Sequence, residues 1–156
     1  MNFKPENDGI DHINVYSKAR TELGRKLSNF AYSPFFCEDG KFNSMEGYWY
    51  WLLAHNEPAE KRDKLKTLSG YAAKKYGREI RGKDWPKDEQ NLFRRKIQDA
   101  FDKKLEYNPE IALALIESDL PLVHYYVYGG EKVVYDGKSD WLIEYIEQVR
   151  SGLKSL

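Results

Sequence analysis

The strongest periodic pattern in the chain follows Ser44, which is a typical N-cap residue. Apolar side chains recur at helical spacing as far as Leu52, and most positions between them are apolar as well. The pattern predicts a helix from Met45 to about His55 that ends before Pro58. Because this helix is apolar almost all round, we expect it at the centre of the fold.

Other segments have the spacing or the boundary residues of helices and hairpins. Further helices are predicted over residues 70–76 (ended by Gly77), over 86–106 (opened by Asp84 and Pro86), over 109–117 and over 141–153. Turn residues predict two hairpins, one joining residues 35–36 to 41–42 and the other joining 122–128 to 132–135 across Gly129 and Gly130. Residues 10–16 alternate as in a strand, and residues 17–26 are expected to form a loop. Helices thus predominate among the predicted elements, with small hairpins in the N-terminal and C-terminal parts of the chain.

The length of 156 residues favours one compact domain, which we place at residues 10–156 after a flexible tail of residues 1–9. A hydrophobic share of 41% is enough to form a core. No apolar run is long enough to span a membrane, and the polar N-terminus does not have the pattern of a signal peptide. The single cysteine, Cys37, is typical of a reducing compartment and is expected to fill apolar space. A cytoplasmic protein without a membrane partner is therefore expected.

Charge is unevenly distributed although the net charge is zero. Residues 61–104 contain 15 Lys and Arg against 7 Asp and Glu. A local basic surface of this kind favours a phosphorylated ligand, and the alternative is a lysine-rich surface that serves solubility alone. The three histidines have no ligand spacing typical of a metal site, so we expect neither a metal nor an organic cofactor.

Glu46 is the leading candidate for chemistry because it lies in the first turn of the most apolar helix. Trp49 and Tyr50 follow it at helical spacing, and such apolar walls raise the pKa of a carboxyl group, whereas a helix N-terminus lowers it. The first case gives a proton donor and the second gives a carboxylate that stabilises positive charge. A glutamate that only complements the helix dipole at the surface is the alternative.

Cations and an indole near the predicted end of the next helix form a second candidate group. Arg78, with Lys74 and Lys75, could hold phosphate, since the planar guanidinium of arginine pairs with phosphate through two bonds. A solvated basic turn is the alternative. Trp85 could stack on a base or could staple the start of the following helix. Asp136 precedes a glycine and is expected in a turn.

Several short motifs occur in a fixed order along most of the chain. They are Leu27-Ser28-Asn29-Phe30, Asp39-Gly40, Ser44-Met45-Glu46-Gly47-Tyr48, Ala73 to Gly77-Arg78, and Trp85 followed by Leu92-Phe93-Arg94. In their order and spacing they resemble the YbiA-like, or NADAR, family over about residues 12–151. The run from Glu46 to Trp51 is most similar to variants encoded by tailed phages.

The resemblance implies a small, mostly helical α+β domain with N-glycosidase activity on ribosylated substrates. Some members of the family cleave phosphorylated ribosylamino intermediates of riboflavin synthesis, and others remove ADP-ribose from guanine bases. The expected substrate is therefore ADP-ribose or another ribose phosphate, either free or carried on nucleic acid, and a phage variant would serve counter-defence. A binding module without turnover is the alternative.

The resemblance also assigns roles to residues of this chain. Glu46 would face the anomeric carbon, while Asp136 would hold the ribose hydroxyls or assist proton transfer. The expected substrate-binding residues are Ser28, Asn29, Phe30, Trp49, Tyr50, Lys74, Lys75, Arg78 and Trp85. The chain departs from the family at Leu53, where a lysine is usual, and at Ile143, where glycine is usual.

Overall fold

A computed structural model describes residues 2–156. In chain order the helices are α1 (Glu22–Leu27), α2 (Met45–Leu53), α3 (Ala59–Arg62), α4 (Gly70–Ile80), α5 (Gln90–Tyr107), α6 (Pro109–Glu117) and α7 (Asp140–Lys154). The strands are β1 (Ile13–Asn14), β2 (Phe35–Cys37), β3 (Gly40–Phe42), β4 (Leu122–Val123), β5 (Tyr126–Tyr128) and β6 (Lys132–Val134). Short 3-10 helices cover Pro5–Asn7, Asp63–Thr67 and Lys87–Glu89. The chain is thus mostly helical with small sheets, as predicted.

The chain forms two compact units, and the single domain expected over residues 10–156 stays a prediction. The central unit is Asn29–Pro109, and the terminal unit combines Met1–Ser28 with Glu110–Leu156. No helix in the described residues 2–156 has the length and apolar character needed to cross a membrane.

Helix α2 is the buried element of the central unit, as its sequence predicts. The hydroxyl of Ser44 caps it by accepting a hydrogen bond from the Gly47 N–H at 3.0 Å. Met45, Tyr48 and Leu52 are at most 2% exposed. The helix ends at Leu53, slightly before the predicted end.

Helix α4 continues through Gly77 to Ile80, so the prediction that Gly77 ends this helix is wrong. The glycine is needed for close packing instead. A Cβ atom at Gly77 would lie 2.1 Å from Cγ of Tyr50, which no side chain could tolerate without movement. Tyr50 of α2 therefore packs directly against the backbone of α4.

The long helix begins later than predicted. Residues 87–89 form a 3-10 turn and α5 starts at Gln90, because Pro86 has an extended backbone conformation (ψ 151°) that does not continue into a helix. The predicted inward stripe is confirmed, since Phe93, Ile97 and Phe101 are buried. The predicted hairpin of β2 and β3 is also confirmed, with Phe35 opposite Phe42.

The terminal unit differs from the prediction in its strands. β1 pairs in parallel with β4, so that Ile13 lies opposite Leu122. The stretch predicted as one strand, residues 122–128, is divided between β4 and β5, and only β5 forms the predicted hairpin with β6. The loop predicted over residues 17–26 contains α1, which Thr21 caps by accepting from the Gly24 N–H at 2.9 Å.

Residues 5–8, within the stretch expected to be a flexible tail, have defined structure and contacts. The carboxylate of Asp8 is buried and accepts hydrogen bonds from the backbone N–H groups of Asn14 (3.0 Å) and Arg20 (2.9 Å). These partners come from later segments of the chain. The burial of Asp8 could therefore not be inferred from the composition of residues 1–9 alone.

Candidate functional site

Helices α2 and α4 lie side by side and run in the same direction. Near the N-terminal ends of both helices, Ser44 Oγ donates to the carbonyl of Leu68 at 2.9 Å. Near their C-terminal ends, the Gly82 N–H donates to the carbonyl of Leu53 at 2.9 Å. Because Glu46 is one helical turn before Tyr50, which contacts Gly77, its side chain is on the side of α2 that faces α4.

The carboxyl group of Glu46 is held in an unusual electrostatic environment. Desolvation by the surrounding protein raises its pKa from the ordinary value of 4.5 to about 7. The positive charges of Lys74 and Arg78 act in the opposite direction and limit the rise in pKa. The residue keeps some exposure to solvent. Glu46 can therefore exchange a proton near neutral pH, and the alternative of a solvated surface glutamate does not describe it.

The segment Asn29–Phe30 lies across the first turns of both helices. The carbonyl of Asn29 accepts from the Glu46 N–H at 2.8 Å, and the carbonyl of Phe30 accepts from the Gly70 N–H at 2.9 Å. Nζ of Lys74 lies 5.8 Å from the centre of the Phe30 ring, within reach of a cation–π contact. The structure thus brings together five of the predicted site residues, Asn29, Phe30, Glu46, Lys74 and Arg78.

The predicted cations of α4 differ in their exposure. Lys74 is partly buried, whereas Lys75 and Arg78 are exposed. Within the described part of the chain, none of the three forms a salt bridge. Their charge is therefore available to a ligand, and Lys74 lowers the Glu46 pKa more than Arg78 does.

The aromatic residues assigned to the site have packing roles in the structure. Trp49 and Trp85 both make edge-on contacts with Phe93, at 5.1 and 5.5 Å between ring centres. The indole N–H of Trp85 donates to the carbonyl of Leu52 at 3.0 Å. Trp85 therefore anchors the segment before α5 onto α2, which supports the staple interpretation. Tyr50 packs on α4, as described above.

Three further positions named in the sequence analysis have the following surroundings. Ser28 belongs to the terminal unit, where it is buried at the end of α1. Asp136 belongs to the same unit, is exposed, and accepts from the Lys138 N–H at 2.9 Å, which is the turn expected for it. Its role toward a substrate stays a prediction. Leu53, at the position where the family usually has lysine, is 5% exposed and part of the core.

Two cavities are lined by other residues. One of about 300 Å³ in the central unit is bordered by Cys37, Tyr48 and Lys96. Burial raises the pKa of the Cys37 thiol, so the thiol is not activated as a nucleophile. The other cavity, of about 440 Å³, is in the terminal unit beside Asp8 and Tyr125. Glu46 lines neither cavity.

Tyr71 is a candidate for contact with a ligand that the sequence analysis did not name. It is in the first turn of α4 and is 70% exposed. Its spacing to Lys74 and Lys75, three and four residues, is the signal that could have found it, since residues so spaced share one face of a helix.

The elements and their arrangement define a mostly helical α+β protein with small sheets. The same fold occurs in a protein whose NMR structure is solved, the E. coli protein YbiA. The two structures superpose with a TM-score of 0.65 over 92% of this chain and 89% of that one, at 21% sequence identity. No protein-family model matches the chain, and no curated protein matches it. The likeness confirms the α+β fold expected from the motifs.

Proposed function

We propose that this protein hydrolyses an N-glycosidic bond of a ribosylated substrate, and that its reaction is removal of ADP-ribose from a modified nucleobase. The single observation that carries the proposal is the Glu46 carboxyl group, which has a pKa of about 7 and two cations acting on it. The YbiA-like fold and the motif order supply the class of reaction.

Cleavage of a ribosyl C–N bond requires a protonated leaving base, a stabilised positive charge on the sugar and an attacking water. Protonated Glu46 donates its proton to the base nitrogen as the C–N bond breaks. The resulting carboxylate stabilises the cationic sugar and then accepts a proton from the water whose oxygen bonds to the anomeric carbon. A group with a pKa near the working pH suits both steps.

Binding of the phosphates is assigned to Lys74 and Arg78. Both act electrostatically on Glu46, so a phosphate held by them would lie within range of the charge on the carboxyl group. Arg78 is exposed and can offer its planar donors to a pyrophosphate, whereas Lys74 acts as a point charge beside Phe30. The backbone carbonyl of Asn29 accepts the hydrogen bond from the Glu46 N–H. The side-chain amide of Asn29 takes no part in that bond, and in this proposal it binds the ribose hydroxyls.

The test is incubation of the full chain with an ADP-ribosylated guanine nucleoside and, separately, with a phosphorylated ribosylamino pyrimidine of the riboflavin pathway. Free ADP-ribose or ribose phosphate is measured by chromatography. Glu46→Gln should reduce the rate at least about 100-fold, as expected for loss of a general acid–base group. The matched control is Glu60→Gln, an exposed glutamate in α3 of the same unit, which should keep the wild-type rate. Equal rates for Glu46→Gln and wild type would exclude the role given to Glu46.

A second candidate, a binding module without turnover, is favoured by one observation. Leu53 is an apolar core residue where the family usually has lysine. Titration calorimetry with ADP-ribose would then show binding by the wild-type chain, while neither substrate yields product. Product from the wild-type chain would exclude this alternative.

A further inference from the structure

We propose that the cavity of the terminal unit binds a small zwitterion, a free α-amino acid with an apolar or aromatic side chain. This cavity has no lining residue in common with the candidate site described above. The inference goes beyond the proposed function and does not depend on it.

Three segments of the terminal unit form the wall of the cavity, which has a volume of about 440 Å³. The lining residues come from residues 5–8, from residues 14–20 and from residues 125–130. Small-molecule sites in proteins have volumes of roughly 300–1,000 Å³ and combine an apolar wall with a few polar groups. Tyr16, Tyr125 and Val127 supply apolar surface to this wall. The size and the wall therefore suit one small molecule with an apolar part.

Charges of both signs line the cavity in equal number. Glu6 and Asp8 carry the two carboxylates, and Lys18 and Arg20 carry the two cations. Within residues 2–156, none of these four side chains takes part in a salt bridge. The charges at the wall are therefore available to a ligand.

The Asp8 carboxylate favours a ligand with a positive group. It is only 7% exposed, and its hydrogen bonds come from the backbone N–H groups of Asn14 and Arg20. A buried carboxylate is costly unless hydrogen bonds or an opposite charge compensate it. Backbone donors supply the first kind of compensation, and a ligand ammonium group would supply the second.

The two cations favour a ligand that also has a carboxylate. Lys18 and Arg20 are exposed, and one guanidinium nitrogen of Arg20 donates to the carbonyl of Glu6 at 2.7 Å. The other donors of the guanidinium can pair with a carboxylate. A simple anion would be repelled by Glu6 and Asp8, and a simple cation by Lys18 and Arg20. A molecule with both charges pairs with both sets.

The spacing of the charges favours an α-amino acid among zwitterions. The Asp8 carboxylate accepts from the backbone N–H of Arg20 at 2.9 Å, so the acidic wall adjoins the segment that carries the cations. In an α-amino acid the ammonium and the carboxylate are bonded to the same carbon atom. Its side chain is then left to the apolar surface of Tyr16 and Val127.

Hydrogen bonds in the interior fix the wall. The side chain of Asn14 bonds twice to the backbone of Tyr125, donating to its carbonyl and accepting from its N–H, each at 3.0 Å. The hydroxyl of Tyr125 lies 2.6 Å from Nε2 of His12, which is fully buried. A wall that is ordered before binding costs less entropy when the ligand arrives. The buried polar network is thus explained as the support of the cavity.

The experiment titrates the isotope-labelled full chain with L-phenylalanine up to about 10 mM and follows the backbone amides by NMR. Two analogues of the same shape each lack one charge: hydrocinnamate has no ammonium group, and phenethylamine has no carboxylate. Lys18→Gln is compared with Lys132→Gln, an exposed lysine of the same unit that does not line the cavity. Asp8→Asn removes the buried charge, and circular dichroism shows whether each variant is folded.

We expect L-phenylalanine to shift the amide resonances of Arg20, Gly129 and Gly130, which line the cavity, and to leave those of α5 unchanged. Each analogue should bind at least about 10-fold more weakly, because one set of wall charges then has no partner. Lys18→Gln should weaken binding by about 2- to 5-fold, as expected for an exposed ion pair, and Lys132→Gln should bind as the wild type does.

Asp8→Asn should weaken binding of L-phenylalanine at least about 10-fold. If this variant does not fold, the comparison of L-phenylalanine with hydrocinnamate tests the same carboxylate. Absence of shifts up to about 10 mM, shifts confined to residues outside the cavity, or equal binding of either analogue would overturn the inference. Equal loss in Lys18→Gln and Lys132→Gln would overturn it as well.

Discussion

Replacing Glu46 by glutamine should stabilise the protein at alkaline pH and change its stability little at acid pH. The folded protein binds the Glu46 proton more tightly than the unfolded chain does, because the pKa is about 7 in the fold against an ordinary value of 4.5. As the pH rises above 4.5, the unfolded chain loses this proton first, and the free energy of unfolding falls. The fall ends once the pH exceeds the folded pKa of about 7.

The size of the effect follows from the two pKa values. One pKa unit corresponds to about 1.4 kcal/mol, so the ionised carboxyl group costs about 3 kcal/mol of unfolding free energy above neutral pH. Glutamine has the same shape and no charge to desolvate. Glu46→Gln should therefore exceed the wild type by about 3 kcal/mol at about pH 8 and by less than about 1 kcal/mol at about pH 5.

Urea denaturation followed by circular dichroism at the two pH values gives both free energies. Glu60→Gln is the control, since this exposed glutamate should give the same pH dependence as the wild type. Lys74→Gln extends the test: it removes an attraction that lowers the Glu46 pKa, so stability should continue to fall to higher pH. If the wild type and Glu46→Gln have the same pH dependence, the carboxyl group is solvated and the reasoning fails.

Two further predictions concern packing around the site. Gly77→Ala should lower the free energy of unfolding by roughly 1–3 kcal/mol, because the new Cβ atom would lie 2.1 Å from Cγ of Tyr50. The control is Gly152→Ala, whose Cβ would meet no atom within 4 Å, and it should be neutral or stabilising by up to about 1 kcal/mol. If urea denaturation shows the same effect for both variants, the close contact at Gly77 is contradicted. Trp85→Phe should lower the free energy of unfolding by about 1 kcal/mol in the same assay, because the carbonyl of Leu52 loses its hydrogen bond from the indole. This variant should leave KM unchanged. A raised KM with unchanged stability would instead indicate that Trp85 lines the substrate site.

The elements that local signals specify were predictable from the sequence. Ser44 marks the start of α2, and the inward stripe of α5 follows from its periodicity. The hairpin of β2 and β3 follows from the glycine at its turn. A cap, a turn or a periodic stripe depends on residues within a few positions of one another, so the chain contains the whole signal in one place.

The candidate site was predictable only in part. Glu46 and the cations of α4 could be named, but the sequence left the pKa of Glu46 open in both directions. That pKa depends on how much protein surrounds the carboxyl group and on Lys74, 28 positions away in the sequence, and neither is a local property. The sequence also did not decide whether Trp85 stacks on a base or anchors the start of α5. The reason is the same, because its hydrogen-bond partner, the carbonyl of Leu52, is distant in the sequence.

The amino-acid sequence alone therefore determined the class of fold, most helices and the identity of the candidate acid. The packing of distant segments decided the remainder: Gly77 is a contact point and does not end a helix, Asp8 is buried, and β1 pairs with β4 more than 100 residues later. Backbone hydrogen bonding within a turn can be inferred from neighbouring residues, whereas burial and electrostatic fields are sums over groups that only the folded chain brings together.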